Sequence, residues 1–163
     1  MKAKHLIMAA PLTMAITFLS ACGDDDNDIK PNPEVPENIY GAYNGKYSCY
    51  MEDGSLSMKG ESQAARLVKG EGSDTLYMDQ IRFAAAMPAA LDIRFANIRV
   101  QDDQSTLSMT VATTIPEAVI KGAWTPIEAQ IISEFEGRAV KDSLYLNFKC
   151  GGKWLHYAGK YVR

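Results

Sequence analysis

Beyond its N-terminal leader the sequence holds a single histidine, His156, and that one imidazole limits the chemistry open to it. Metal sites built on several histidines are excluded, and any nucleophilic relay has one residue to use as its base. His156 shares a strand face with Trp154 and Lys160, a face expected to look outward. A surface histidine is therefore read ahead of a catalytic base. The serines fall in turns or on polar strand faces, without the strand–turn–helix setting of a nucleophile elbow. No Gly-rich loop runs from a strand into a helix to cradle phosphate. Asp102-Asp103, followed by Gln104-Ser105, fits turn chemistry better than half of a calcium site, because no further acidic cluster is evident to complete one. No cofactor or metal is implied. Aromatic side chains are the remaining lead: Tyr40, Tyr43, Tyr50, Trp124 and Trp154, with His156 among them. If the last strand pairs with the first, they form a patch near that seam, able to stack on sugar rings or anchor a protein partner. The plainer reading is a scatter of surface aromatics and a strand-closing Trp.

The three cysteines divide by position. Lys2 and Lys4 open the chain, and Leu6 to Leu19 is apolar apart from Pro11, Thr13 and Thr17. That run falls short of the roughly 20 residues a spanning helix needs and reads as an export signal. It ends in Leu19-Ser20-Ala21-Cys22, which resembles the lipobox of bacterial lipoproteins. The resemblance implies cleavage after Ala21 and a diacylglycerol on the Cys22 sulfur. Cys49 and Cys150 remain. Export to an oxidising compartment favours a disulfide between them. In a meander closed last-to-first, however, they would stand two strand spacings apart, roughly 9–10 Å, beyond the ~7 Å between bridged Cα atoms. Two buried thiols are the simpler expectation.

Cleavage leaves 142 residues, enough for one core. They carry 15 bases against 20 acids, a net of −5. All of that excess lies in residues 23–38, where Asp24, Asp25, Asp26, Asp28, Glu34 and Glu37 face Lys30 alone. Residues 39–163 hold 14 acids and 14 bases. Without a basic excess the domain is a poor partner for nucleic acid. Residues 22–38 form a tether kept extended by Pro31, Pro33 and Pro36. Its plain role is a spacer. Its start, Cys-Gly-Asp-Asp-Asp-Asn-Asp, also resembles the acid-rich surface-export signal of Bacteroidetes lipoproteins. That resemblance assigns Asp24, Asp25, Asp26 and Asp28 to sorting and places the protein at the outer membrane, on the cell surface ahead of the periplasmic face.

From Ile39 onward the pattern has the period of two that marks strands. Tyr43, Gly45, Tyr47, Cys49 and Met51 alternate with polar neighbours up to the Asp53-Gly54 turn. Leu56 and Met58 begin a return strand with a break near Gly60, running on to Leu67 or Val68. After the loop 70–74, Leu76, Met78, Gln80 and Arg82 oppose Tyr77, Asp79, Ile81 and Phe83. Ile93, Phe95, Asn97 and Arg99 oppose Arg94, Ala96, Ile98 and Val100. Leu107, Met109, Val111 and Thr113 make another strand. Ile127 to Phe135 is ambiguous and is assigned as strand by its neighbours. Leu144, Leu146, Phe148 and Cys150 face one way, Gly151-Gly152 turns the chain, and Leu155, Tyr157, Gly159 and Tyr161 face the core. Residues 84–91 and 116–120 break the rhythm. The second, with Pro116 at its first position and Thr114 as cap, is expected to be a helical turn.

About eight short strands with tight turns predict an all-β, antiparallel up-and-down barrel with one or two short helical insertions. Tyr40-Gly41-Ala42-Tyr43-Asn44-Gly45-Lys46-Tyr47, opening such a domain behind an acid-rich leader, is similar to the calycin-like or lipocalin-like lipoproteins of Bacteroidetes. The resemblance implies fold and location and hardly any activity. The Gly-x-Trp of true lipocalins is absent, Gly45-Lys46-Tyr47 standing nearest to it. The functional expectation is a non-enzymatic barrel that binds a small apolar ligand inside or a glycan on its aromatic patch. The alternative is an accessory, protein-binding subunit of an outer-membrane complex. An enzyme ranks third, for want of a catalytic constellation.

Overall fold

A computed structural model describes residues 38–102 and 106–163. The signal peptide, Cys22, the four sorting aspartates and Asp103 lie outside them, so the structure says nothing of those assignments. Ten strands follow in order: β1 (Gly41–Tyr50), β2 (Leu56–Val68), β3 (Asp74–Ile81), β4 (Leu91–Asp102), β5 (Leu107–Val111), β6 (Glu117–Ile120), β7 (Ala123–Pro126), β8 (Ile132–Val140), β9 (Ser143–Cys150) and β10 (Lys153–Tyr161). Eight of them close an antiparallel ring, β1-β2-β3-β4-β5-β8-β9-β10 and back to β1. Closure removes the unpaired edges an open sheet would present. The β6–β7 hairpin is an addition, laid on the start of β4 through Ile93↔Ala118 and Arg94↔Glu117.

No helix occurs among the described residues, which corrects the expected helical insertions. Residues 117–120 are a strand because Val119 and Ile120 are β-branched and Lys121-Gly122, both with positive φ, close a two-residue hairpin. Thr114 bridges to Ile132 instead of capping a helix. Residues 84–90 form a loop in which Met87 turns back on Ala84 and packs on the core; Pro88 disfavours helical backbone at the residue before it. In the ambiguous stretch only Ile132 onward is strand. Ile131 is exposed and Ile132 fully buried.

Strict alternation also fails at bulges in four strands, β2, β3, β4 and β8, those of β2 falling opposite Gly45–Tyr47 and Cys49–Tyr50. Four residues of β3, Met78 to Ile81, stand against three of β4, Leu91 to Ile93, and Gln80 has φ 54°. Asn97 in β4 (φ 66°) and Glu134 in β8 (φ 51°) do the same. Each extra residue shifts the side-chain phase by one. Met78 with Ile81, Phe95 with Ile98, and Ile132 with Phe135 thus all point inward although each pair is three residues apart. This corrects the expectation that Ile98 opposes Phe95 and that Asn97 joins it.

Two dozen apolar side chains turn into the interior. Phe95, Phe135 and Phe148 pack ring to ring at 5.4–5.7 Å. The Tyr47 ring lies over Gly60 and the Tyr157 ring over Gly159, so closely that a Cβ at either glycine would collide with the ring. Leu144, Leu146, Phe148, Leu155, Tyr47 and Tyr157 are all buried, as the alternation of β1, β9 and β10 requires. Cys49 and Cys150 are free, buried thiols. Cys49 donates to the carbonyl of Arg82 and Cys150 to that of Gln130, so both thiols meet segments that cover the same end of the barrel. Burial pushes each thiol up to about 12.

The two ends differ. Residues 38–40 enter at the end that also carries the loop 69–73, the Lys141-Asp142 turn and the C-terminus. There Tyr40 donates to Asp74, Tyr43 donates to the Ile39 carbonyl, and Tyr161 packs edge-on against Tyr43 at 5.4 Å. The opposite end carries the Met51–Ser55 turn, the loop 82–90, the β6–β7 hairpin, the turn 127–131 and Gly151-Gly152.

Candidate functional site

The six aromatic and imidazole positions singled out in the sequence do not form one patch. Tyr43 is buried, and with Tyr40 it belongs to the end where the chain enters the barrel. Both phenols are pushed up to about 12, by burial first and, for Tyr40, by the Asp74 carboxylate that accepts its hydrogen bond. Trp124 lies in β7. The Arg94 guanidinium lies 4.6 Å from its ring centre, and Tyr77 meets it edge-on at 5.9 Å. Arg94 also pairs with Glu117 at 2.6 Å. These contacts pin the hairpin to the wall, which gives Trp124 a structural role.

Tyr50, Trp154 and His156 do come together, because β1 pairs with β10 in the register Tyr50↔Trp154 and Ser48↔His156. The His156 ring is 5.4 Å from Tyr50 and 6.4 Å from Trp154, and Lys149 lies 4.9 Å from the Trp154 ring centre. His156 Nδ1 and Asn147 Oδ1 are 2.7 Å apart. An amide oxygen can only accept, so Nδ1 carries the hydrogen and Nε2 is left for an incoming group.

His156 opens onto a feature that alternation alone did not reveal: a groove of about 650 Å³ on the outer wall, crossing β5, β8, β9, β10 and β1. Two cross-strand rows of outward side chains line it. One runs Thr110–Glu136–Asn147–His156–Ser48, the other Ser108–Arg138–Tyr145–Ala158–Lys46. Tyr47, Met109, Gly137 and Tyr157 line it too, yet all are buried, so they contribute backbone to its floor. A barrel wall is convex, and the depression exists because Ser48, Ser108, Thr110 and Ala158 are short beside Arg138, Tyr145 and Lys46. The Arg138 guanidinium rests 5.1 Å from the Tyr145 ring centre. Among the described residues Arg138 forms no ion pair, whereas Lys46 reaches Glu61 at 2.7 Å. Ser48, Ser108, Thr110, Glu136, Arg138, Tyr145 and Asn147 were not singled out from the sequence.

Chemically the groove offers hydroxyls, an amide, an imidazole, one carboxylate, two cations and an exposed phenol ring. No cluster of three or more His, Cys, Asp or Glu suited to a metal occurs among the described residues. The chain matches no protein-family model, no curated protein and no solved structure.

Proposed function

We propose that this protein is a lipid-anchored lipoprotein of the outer membrane, displayed on the cell surface, whose lipocalin-like barrel binds a glycan without catalysis. The anchor and address rest on Leu19-Ser20-Ala21-Cys22 and the aspartates behind it. The site of binding rests on the outer-wall groove, the observation that carries the reading. Phe95, Phe135, Phe148, Tyr47 and Tyr157 all turn into the interior, which favours a site outside it over the internal site of a lipocalin. The outer wall instead combines aromatic faces with clustered polar groups, the pairing that sugars require: rings against their C–H faces, and donors and acceptors for their hydroxyls. Detergent-solubilised protein should bind members of a glycan array, and Tyr145→Ala should remove that binding without lowering the melting temperature. Silence across the array would reject the reading. For the anchor, Cys22→Ser should release the protein from the membrane fraction; a variant that stays there, still carrying labelled fatty acid, would reject lipidation at Cys22.

A second reading, an accessory subunit that docks on another protein, is favoured by one observation. Met51, Leu56, Ile115, Ile120 and Ile131 are exposed at the loop-bearing end, opposite the end where the chain enters. Tethered at one end, such a barrel would present these side chains outward. Capture of a defined outer-membrane partner, lost on Leu56→Glu and Ile120→Glu together, would support it.

A further inference from the structure

We infer that the saccharide held in the outer-wall groove bears a carboxylate, and that the carboxylate sits on Arg138. This rests on the glycan reading and adds the chemical class of the sugar.

Arg138 has the groove's uncommitted guanidinium. Its strand neighbour on the same face is Glu136, and its cross-strand partners are Ser108 and Tyr145. None of these pairs with it as an ion, and its guanidinium lies 5.1 Å from the Tyr145 ring centre. A planar guanidinium fork matches one carboxylate with two parallel hydrogen bonds, which an ammonium group cannot do. The groove spans five strands, or about 19 Å at the usual strand spacing. That leaves room for sugar units beyond the one whose acid meets Arg138, with Asn147, His156 and the hydroxyls of Ser48 and Thr110 along the second row.

The charge balance narrows the class further. Lys46 is shared with Glu61, and Glu136 stands two residues from Arg138. A densely sulfated or phosphorylated chain would meet this carboxylate without enough cations to offset it. An isolated carboxylate on an otherwise hydroxylated chain fits: the acid on Arg138, and hydroxyl hydrogens donated to Glu136. Uronic-acid oligosaccharides have that chemistry.

The test uses the full mature protein in detergent micelles and titration calorimetry. Tetrasaccharides of galacturonate, mannuronate and glucuronate are each compared with their carboxyl-reduced counterparts. At least one uronate should bind ten-fold or more tightly than its reduced form. Arg138→Gln should weaken binding of the uronate ten-fold or more and that of the reduced sugar by far less, closing the gap between them. Arg138→Lys should recover only part of the loss, because a point charge cannot replace the fork. If acidic and reduced sugars bind equally, or if Arg138→Gln weakens both alike, the carboxylate assignment is overturned and the glycan reading stands. If neither form of any sugar binds, and a wider glycan array is also silent, both are overturned.

Discussion

The two faces of the same five strands, β5, β8, β9, β10 and β1, are built on opposite principles. Facing in, Met109, Gly137, Leu146, Tyr157 and Tyr47 stand in one cross-strand row, all buried, with the tyrosine rings closing over glycines. One residue along, facing out, Ser108, Arg138, Tyr145, Ala158 and Lys46 leave a hollow. In a lipocalin-like barrel the reverse is the familiar expectation, since eight strands can leave space for one small ligand. Here aromatic rings turn into that space, and the proposed site lies on the wall instead.

Substitutions on the two faces should separate sharply. The largest effect belongs to Phe148→Ala. It removes the ring that touches both Phe95 and Phe135 and should cost about 3–5 kcal/mol in chemical denaturation.

Next comes pH. The thiols of Cys49 and Cys150 and the phenols of Tyr43 and Tyr157 are all raised by burial. A group whose folded pKa is raised contributes stability that is complete below its unfolded pKa and lost as pH climbs toward the folded one. Stability should therefore hold up to about pH 9, the ordinary thiol range, and fall steadily toward pH 12. The pair Cys49→Ala with Cys150→Ala should flatten the first part of that decline. An unchanged profile would mean that the thiols meet solvent in the folded protein.

The bulges come third. Asn97→Val forces a β-branched residue into left-handed backbone and should cost about 1–2 kcal/mol, although Asn97 is exposed. Lys149→Ala is the smallest. Its ion pair with Glu134, at 2.7 Å, is solvent-facing, and its loss should change stability by less than about 0.5 kcal/mol. Comparable losses at Phe148 and Lys149, one residue apart, would break the contrast between the two faces.

Much of the barrel was legible because alternation is a local property. Leu144 to Cys150 and Leu155 to Gly159 declare their inner face, and Gly151-Gly152 fixes how those strands register. Gln80, Asn97 and Glu134 were not legible as bulges. None is a glycine, and what forces each is the need to bury Ile81, Ile98 and Phe135 from the other side of the barrel. Residues 116–120 read as a helical turn because Pro116 and Thr114 imitate a helix start, while their strand character depends on pairing with β4 and β7. The groove was half legible. Pairing across Gly151-Gly152 sets Asn147 beside His156 and Tyr145 beside Ala158. Lys141-Asp142 is also a two-residue turn, and reading it as one would have added Arg138 beside Tyr145. The hollow itself depends on which neighbours are short, a property of five strands at once.

The central claim is that this barrel binds on its wall and not in its interior. The most direct measurement is a nuclear magnetic resonance titration of the isotope-labelled protein with its best-binding saccharide, following backbone amides and side-chain methyl groups together. The amides of Ser48, Thr110, Arg138, Tyr145, Asn147 and His156 should shift, while the methyl groups of Ile132, Leu144 and Leu155 stay in place. Large shifts of those interior methyl groups, with the wall amides unmoved, would place the ligand inside the barrel and contradict the account.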